Sequence, residues 1–173
     1  MSENIFKNRI IRAAKLDANL YEEVEADKGA MGQAMGIVIL SSIAAGVGLY
    51  QTGGLGGIIV ATLAALIGWY IWASLTCFIG TKLLPEKQTE ADLGELLRTI
   101  GFSSSPGLLK VFGIIPGIGT IIFQLASIWM LVAMVIAVRQ ALDYNSTLRA
   151  VGVCVIGYFI QIFIVLLLMS IFG

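Results

Sequence analysis

The sequence predicts an all-α integral membrane protein: a five-transmembrane-helix bundle with a cytoplasmic N-terminal amphipathic helix. Two observations place it in the membrane, and a third sets the number of spans. First, 58% of its 173 residues are hydrophobic and only 13% are charged, against roughly 45–50% apolar and about 25% charged in a soluble domain. Second, the charges are segregated, with none between Lys28 and Lys82, between Lys110 and Arg139, or after Arg149. Apolar runs of about 20 residues are enough to cross a bilayer as helices. Third, the basic residues fall on one side of the membrane when the chain crosses it five times.

Residues 1–28 form the expected cytoplasmic segment, and 29–173 the membrane domain. Ile5, Phe6, Ile10, Ala13, Ala14 and Leu16 recur near helical spacing, with Lys7, Arg12 and Lys15 roughly opposite, while Arg9 and Ile11 break the pattern. Such a helix either lies on an anionic membrane surface or packs on its own protein. Asp17 reads as the N-cap of a second helix carrying Glu22, Glu23, Glu25 and Asp27. This segment is too long and too acidic for a signal-peptide leader, so the first apolar run is expected to remain as a span.

The uncharged stretch 29–81 suits two spans, near 30–50 and 57–80, with Gly53, Gly54, Gly56 and Gly57 as the break. Residues 82–95 are a polar loop, and 117–138 and 150–172 are two further spans. The stretch 96–116 is interrupted by Ser103, Ser104, Ser105, Pro106 and Gly107, so it either crosses as a broken helix or dips in and returns. The positive-inside rule decides between these. Five spans with the N-terminus inside put Lys7, Arg9, Arg12, Lys15, Lys28, Lys82, Lys87, Arg98, Arg139 and Arg149 on the cytoplasmic side. Lys110 alone is left near the outer end of the third span, where it can snorkel.

Several classes of function are excluded or disfavoured. Net charge is zero, without the basic excess of a nucleic-acid binder. No histidine is present to act as base or metal ligand. Cys77 and Cys154 lie in apolar runs and read as small hydrophobes. No Gly-x-Ser-x-Gly elbow or phosphate-binding loop occurs. No span carries a central Asp, Glu, Lys or Arg, which argues against an ion-coupled pump. No catalytic, cofactor-binding or metal-binding residues are expected, and the protein reads as non-enzymatic.

Five stretches together resemble one family. They are Leu16-Asp17 with Tyr21-Glu22-Glu23-Val24-Glu25-Ala26-Asp27; Asp92 to Phe102; Ser105-Pro106-Gly107-Leu108-Leu109; Gly113-Ile114-Ile115-Pro116-Gly117; and Ala137 to Tyr144. In order and spacing they resemble the prokaryotic branch of the Yip family, whose founders are the Ypt/Rab-interacting membrane proteins of eukaryotes. The resemblance implies five transmembrane helices and a cytoplasmic N-terminal segment. An Asp-Leu-Tyr-Gly-Pro type motif of the eukaryotic members is absent here. Their Gly-Tyr-x-x-x-Pro motif corresponds to Gly101-Phe102-Ser103-Ser104-Ser105-Pro106, with Phe for Tyr. Eukaryotic relatives are implicated in binding prenylated Rab GTPases, a role that does not carry over to prokaryotes.

The candidate functional residues are Gly101, Phe102, Ser103, Ser104, Ser105, Pro106 and Gly107 at the break, with Arg139, Asp143 and Tyr144 just inside the membrane. A broken helix at mid-membrane is how many transporters build a solute site. Equally, it is a kink whose serines bond their own backbone. Arg139 and Asp143, one helical turn apart, form an ion pair or a docking point, and Tyr144 suits an interfacial anchor. Gln124 and Gln161 lie deep in spans four and five, as inter-helix glue or as the lining of a polar path. Glu22, Glu23, Glu25 and Asp27 lack the spacing of a calcium site and read as a solvated face. Gly32/Gly36, Gly53/Gly57 and Gly113/Gly117 have the spacing of close helix contacts, which bears on a homo-oligomer.

The expectation is therefore an adaptor, membrane organiser or accessory subunit of a membrane complex, with protein partners at its cytoplasmic face. The alternative is a small-solute permease or channel with its site at the break. The location is a prokaryotic cytoplasmic membrane, N-terminus inside and C-terminus outside. A reporter fused after Gly173 is expected outside the membrane, and a cytoplasmic C-terminus would overturn five spans.

Overall fold

A computed structural model describes residues 2–172, apart from the side chains of residues 2, 50–53, 165, 168, 169, 171 and 172. Its regular elements are all helical. Helices α1 (Ser2–Ala14) and α2 (Ala18–Ala26) precede α3 (Met31–Gly48). Then come α4 (Tyr50–Phe78), α5 (Leu93–Ser103), α6 (Gly119–Ala141) and α7 (Thr147–Phe172). Among the described residues, four segments are long and apolar enough to cross a membrane: Lys28–Gly48, Gly54–Leu83, Gly119–Ala141 and Thr147–Ile164.

The expected glycine break lies at Gly54. Its φ of 57° and ψ of −165° interrupt the helical run, a conformation that glycine adopts without a Cβ penalty. At its other end α4 runs on as a π-helical turn, Ile79–Leu83. Asp17 caps α2 as the sequence predicts, its carboxylate accepting from the Asn19 N–H at 3.1 Å.

The stretch 96–116 is not one helix. α5 ends at Ser103 and is followed by a 3-10 helix, Ser105–Ile114, with Pro106 in its first turn. α5 packs against α2, α3, α4 and α6, and every residue from Leu96 to Ser103 is buried. It starts in a capping box: Asp92 accepts from the Glu95 N–H and Glu95 from the Asp92 N–H, both at 2.8 Å. The Asp-x-x-Glu spacing was legible in the sequence and marks this start.

The outward faces of the long helices are apolar. Leu55, Ile59, Val60, Leu63 and Ile67 of α4 are exposed, as are Ile121, Leu125 and Ile128 of α6 and Phe159 and Phe163 of α7. A water-soluble monomer rarely exposes a contiguous apolar patch of more than a few hundred Å². The band suits lipid contact.

At one end of the bundle the polar loops interlock. Tyr144 is buried, and its hydroxyl reaches the carbonyls of Gly80 (3.1 Å) and Leu84 (2.6 Å) at the end of α4. Gln88 donates to the Asp143 carbonyl, Arg149 to that of Pro85, and the Asn145 N–H to Glu86. At the opposite end α3 and the 3-10 helix touch backbone to backbone. A Cβ on Gly48 would run into the Lys110 carbonyl, and one on Gly113 would lie 3.2 Å from the Gly48 Cα.

Tyr144→Phe removes the donor to two carbonyls, at about 0.5–1.5 kcal/mol for a typical hydrogen bond. A fall of roughly 1–6 °C in the detergent-solubilised Tm is expected. Gly80→Val should cost more, because even a Cβ at Gly80 meets the Leu142 side chain. An unchanged Tm for both would contradict the packing of this end.

Candidate functional site

Of the two readings of α1, the structure shows packing on its own protein: Ala13 is buried and Phe6 and Ile10 pack on the core, while Ile5 and Ile11 are exposed. Arg9, which broke the pattern, is only 7% exposed. Its Nε lies 2.8 Å from Glu23, its Nη2 2.8 Å from Asp27, and its Nη1 donates to Gln33 at 3.0 Å. Arg12 pairs with Asp17 at 2.8 Å and also with Glu23. The helix packs on its own protein, with an arginine where an apolar stripe would have placed a hydrophobe.

This accounts for two of the four acidic residues on α2 and its C-cap: Glu23 and Asp27 are counter-ions of α1. The guanidinium of Arg9 holds the Asp27 carboxyl below its ordinary range, and Arg12 does the same for Asp17. Glu22 accepts from Gln140. No grouping of three or more acidic or cysteine side chains suited to a metal occurs among the described residues.

Arg98 is the deeper anchor. It is 5% exposed, and its Nε lies 3.0 Å from the Val24 carbonyl and 3.1 Å from that of Glu25, which also accepts from Nη2. These carbonyls close the last turn of α2, where helix ends leave acceptors unpaired and carry partial negative charge. A cation from α5 thus caps a helix of the N-terminal segment. In sequence Arg98 reads only as one more basic residue.

Glu25, on the same turn, is forced the other way. Its Oε2 is buried without a partner. Burial, then the nearby charges of Asp143, Glu22 and Glu95, push its pKa up to about 8 despite the opposing pull of Arg98.

The break is a packed kink. Ser103 donates to the Ile100 carbonyl and Ser105 to that of Phe102, both at 2.7 Å, so these serines satisfy their own backbone. Phe102, Ser105, Pro106 and Gly107 are buried. A Cβ on Gly101 would come within 2.7 Å of Ala34, and one on Gly107 would meet Ser41 and Met130. Ser104 alone of the three serines lines an open space, a cavity of about 450 Å³ shared with Lys110 and Gln161.

The Arg139–Asp143 ion pair does not form among the described contacts. Arg139 donates to the Tyr144 carbonyl at 3.1 Å, and Asp143 sits exposed at a left-handed turn with φ 53°. Tyr144 is a buried latch, not an interfacial anchor. Gln124 and Gln161 each line a cavity of about 450 Å³. Cys77 and Cys154 are free. Of the glycine pairs, Gly53 lies outside the residues whose surroundings are described; among the rest, Gly113 makes a tight backbone contact, while Gly117 holds a turn with φ 85° and Gly32 faces open space.

With this geometry in view, no family profile, curated protein or solved structure matches the chain.

Glu25 sets a pH dependence. Below the unfolded pKa, near 4.3, both states are protonated and its burial exacts no charge penalty. As pH rises from there to about 8, the unfolded chain ionises first and folding loses stability. Glu25→Gln should match wild type at pH 5 and exceed it in detergent Tm at pH 8.5. Equal Tm values at both pH values would refute the raised pKa.

Proposed function

We propose that the chain is a non-enzymatic, five-span membrane protein of the Yip type, acting as an adaptor, membrane organiser or accessory subunit of a membrane complex. One observation carries this reading: three polar segments separated in sequence interlock at one end of the bundle. Arg98 and Arg9 hold the N-terminal helices there, and Tyr144, Gln88 and Arg149 tie the loops 82–92 and 142–146 together.

That interlock supports five crossings. Residues 93–118 leave this end and reach the far one, where Gly48 meets Lys110 and Gly113. Eleven α-helical and ten 3-10 residues at about 1.5 and 2.0 Å rise give roughly 36 Å, enough for a hydrocarbon core of about 30 Å. The interlocked end gathers most of the basic residues, which under the positive-inside rule supports a cytoplasmic location for it and a C-terminus outside, as proposed for a prokaryotic cytoplasmic membrane. The platform exposes Lys7, Lys15, Lys82 and Lys87, which have no ion-pair partner among the described residues. They offer an acidic protein a surface whose attraction weakens with salt.

A small-solute permease is the second reading, favoured by the cavity beside Ser104. Against it, Ser103, Ser105 and Pro106 are packed away from that space. It predicts flux in proteoliposomes that falls on Ser104→Ala.

Purification in mild detergent should recover a stoichiometric protein partner. Reversing Lys7, Lys15 and Lys87 together to Glu should weaken its capture about tenfold, equivalent to 1.4 kcal/mol, and leave the Tm in place. Recovery of the protein alone across several detergents would count decisively against the adaptor.

A further inference from the structure

The cavity beside Ser104 lies among α3, α4, α5, α6 and α7, with Ser42, Trp72, Ser104, Lys110, Met134 and Gln161 in its wall. Three features of that wall bear on what it holds. Lys110 is half-buried and makes no ion pair among the described residues. Its ammonium lies 5.0 Å from the centre of the ring of Phe123, which lines the neighbouring cavity beside Gly48 and Gly113. Trp72 is 9% exposed, and its indole N–H is buried with no acceptor. Most of the remaining wall is apolar, including Val38, Ala65 and Leu131.

A cation in apolar surroundings without a counter-ion is costly. An anion carried on a hydrocarbon chain answers that need, and its chain fills the apolar space beyond. The volume of about 450 Å³ falls within the roughly 300–1,000 Å³ of small-molecule sites. The Lys110 end lies where α3 ends at Gly48, and the Trp72 end lies six residues before α4 ends at Phe78.

We infer that this cavity binds an anionic phospholipid, its phosphate at Lys110 and one acyl chain running between the helices toward Trp72. The ammonium contributes charge selection and the apolar wall holds the chain. The site is separate from the cytoplasmic platform, so it stands or falls independently of a protein partner there.

The test uses the full-length protein in dodecyl maltoside, read by native mass spectrometry and by thermal shift. Dioleoyl phosphatidylglycerol should add one retained lipid and raise the Tm, as any ligand selective for the folded state does. Dioleoyl phosphatidylcholine and inorganic phosphate should do neither. Lys110→Ala should raise the half-saturating phosphatidylglycerol concentration about tenfold, or 1.4 kcal/mol, while Lys110→Arg keeps it near wild type. Ala65→Phe, which fills the cavity and leaves the charge, should abolish retention. Equal binding of the two lipids, a shift reproduced by phosphate alone, or unaltered phosphatidylglycerol binding by Lys110→Ala would overturn the assignment.

Discussion

The buried guanidinium of Arg98 on the closing carbonyls of α2 is the contact on which the rest of the architecture turns. Every residue of α5 from Leu96 to Ser103 is buried, so a charge at Arg98 has little water to reach. It therefore takes its partners from the last turn of α2, where unpaired carbonyls and the helix dipole offer negative potential. Hydrogen bonds to charged groups contribute about 1.5–3 kcal/mol, more than neutral ones. Leaving such a charge unpaired in the interior costs more than the bond contributes. α2 is thereby fixed to the hub, and α1 follows through Arg9 and Arg12 on Glu23, Asp27 and Asp17.

The two ends of the bundle are built by different physics. The loop end is polar and is held by directional bonds: Tyr144 to two carbonyls of the α4 terminus, Arg149 and Asn145 to the 85–86 segment. The far end relies on backbone proximity, where Gly48 and Gly113 leave no room for a side chain. Between them the serine–proline break changes α-helix to 3-10 helix without exposing backbone. The 3-10 helix rises more per residue, so a short segment covers more depth. Ser103 and Ser105 bond within their own turn and leave Ser104 to the cavity.

The functional proposals rest on different parts of this structure. Adaptor behaviour rests on a polar platform whose lysines make no ion pair among the described residues, and lipid binding on a cation beside an apolar cavity within the bundle. Glu25 stands apart from both, a carboxyl kept protonated at neutral pH by burial among Asp143, Glu22 and Glu95.

The sequence by itself determined the membrane class, the four long apolar helices and the Gly54 break, because composition and charge gaps act locally and need no partner. Asp17 as a cap was equally legible, since an N-cap is a bond between near neighbours. What only the tertiary structure decided involves residues far apart in the chain. Arg9 looked like a flaw in an amphipathic stripe until Glu23, Asp27 and Gln33 surrounded it. Arg139 and Asp143 looked like a pair until Tyr144 took the guanidinium. Tyr144 looked interfacial until the end of α4 closed over it. Periodicity records which face of a helix is apolar. It cannot record which distant carbonyl, carboxylate or empty space that face will meet, and those encounters set the chemistry of each polar group here.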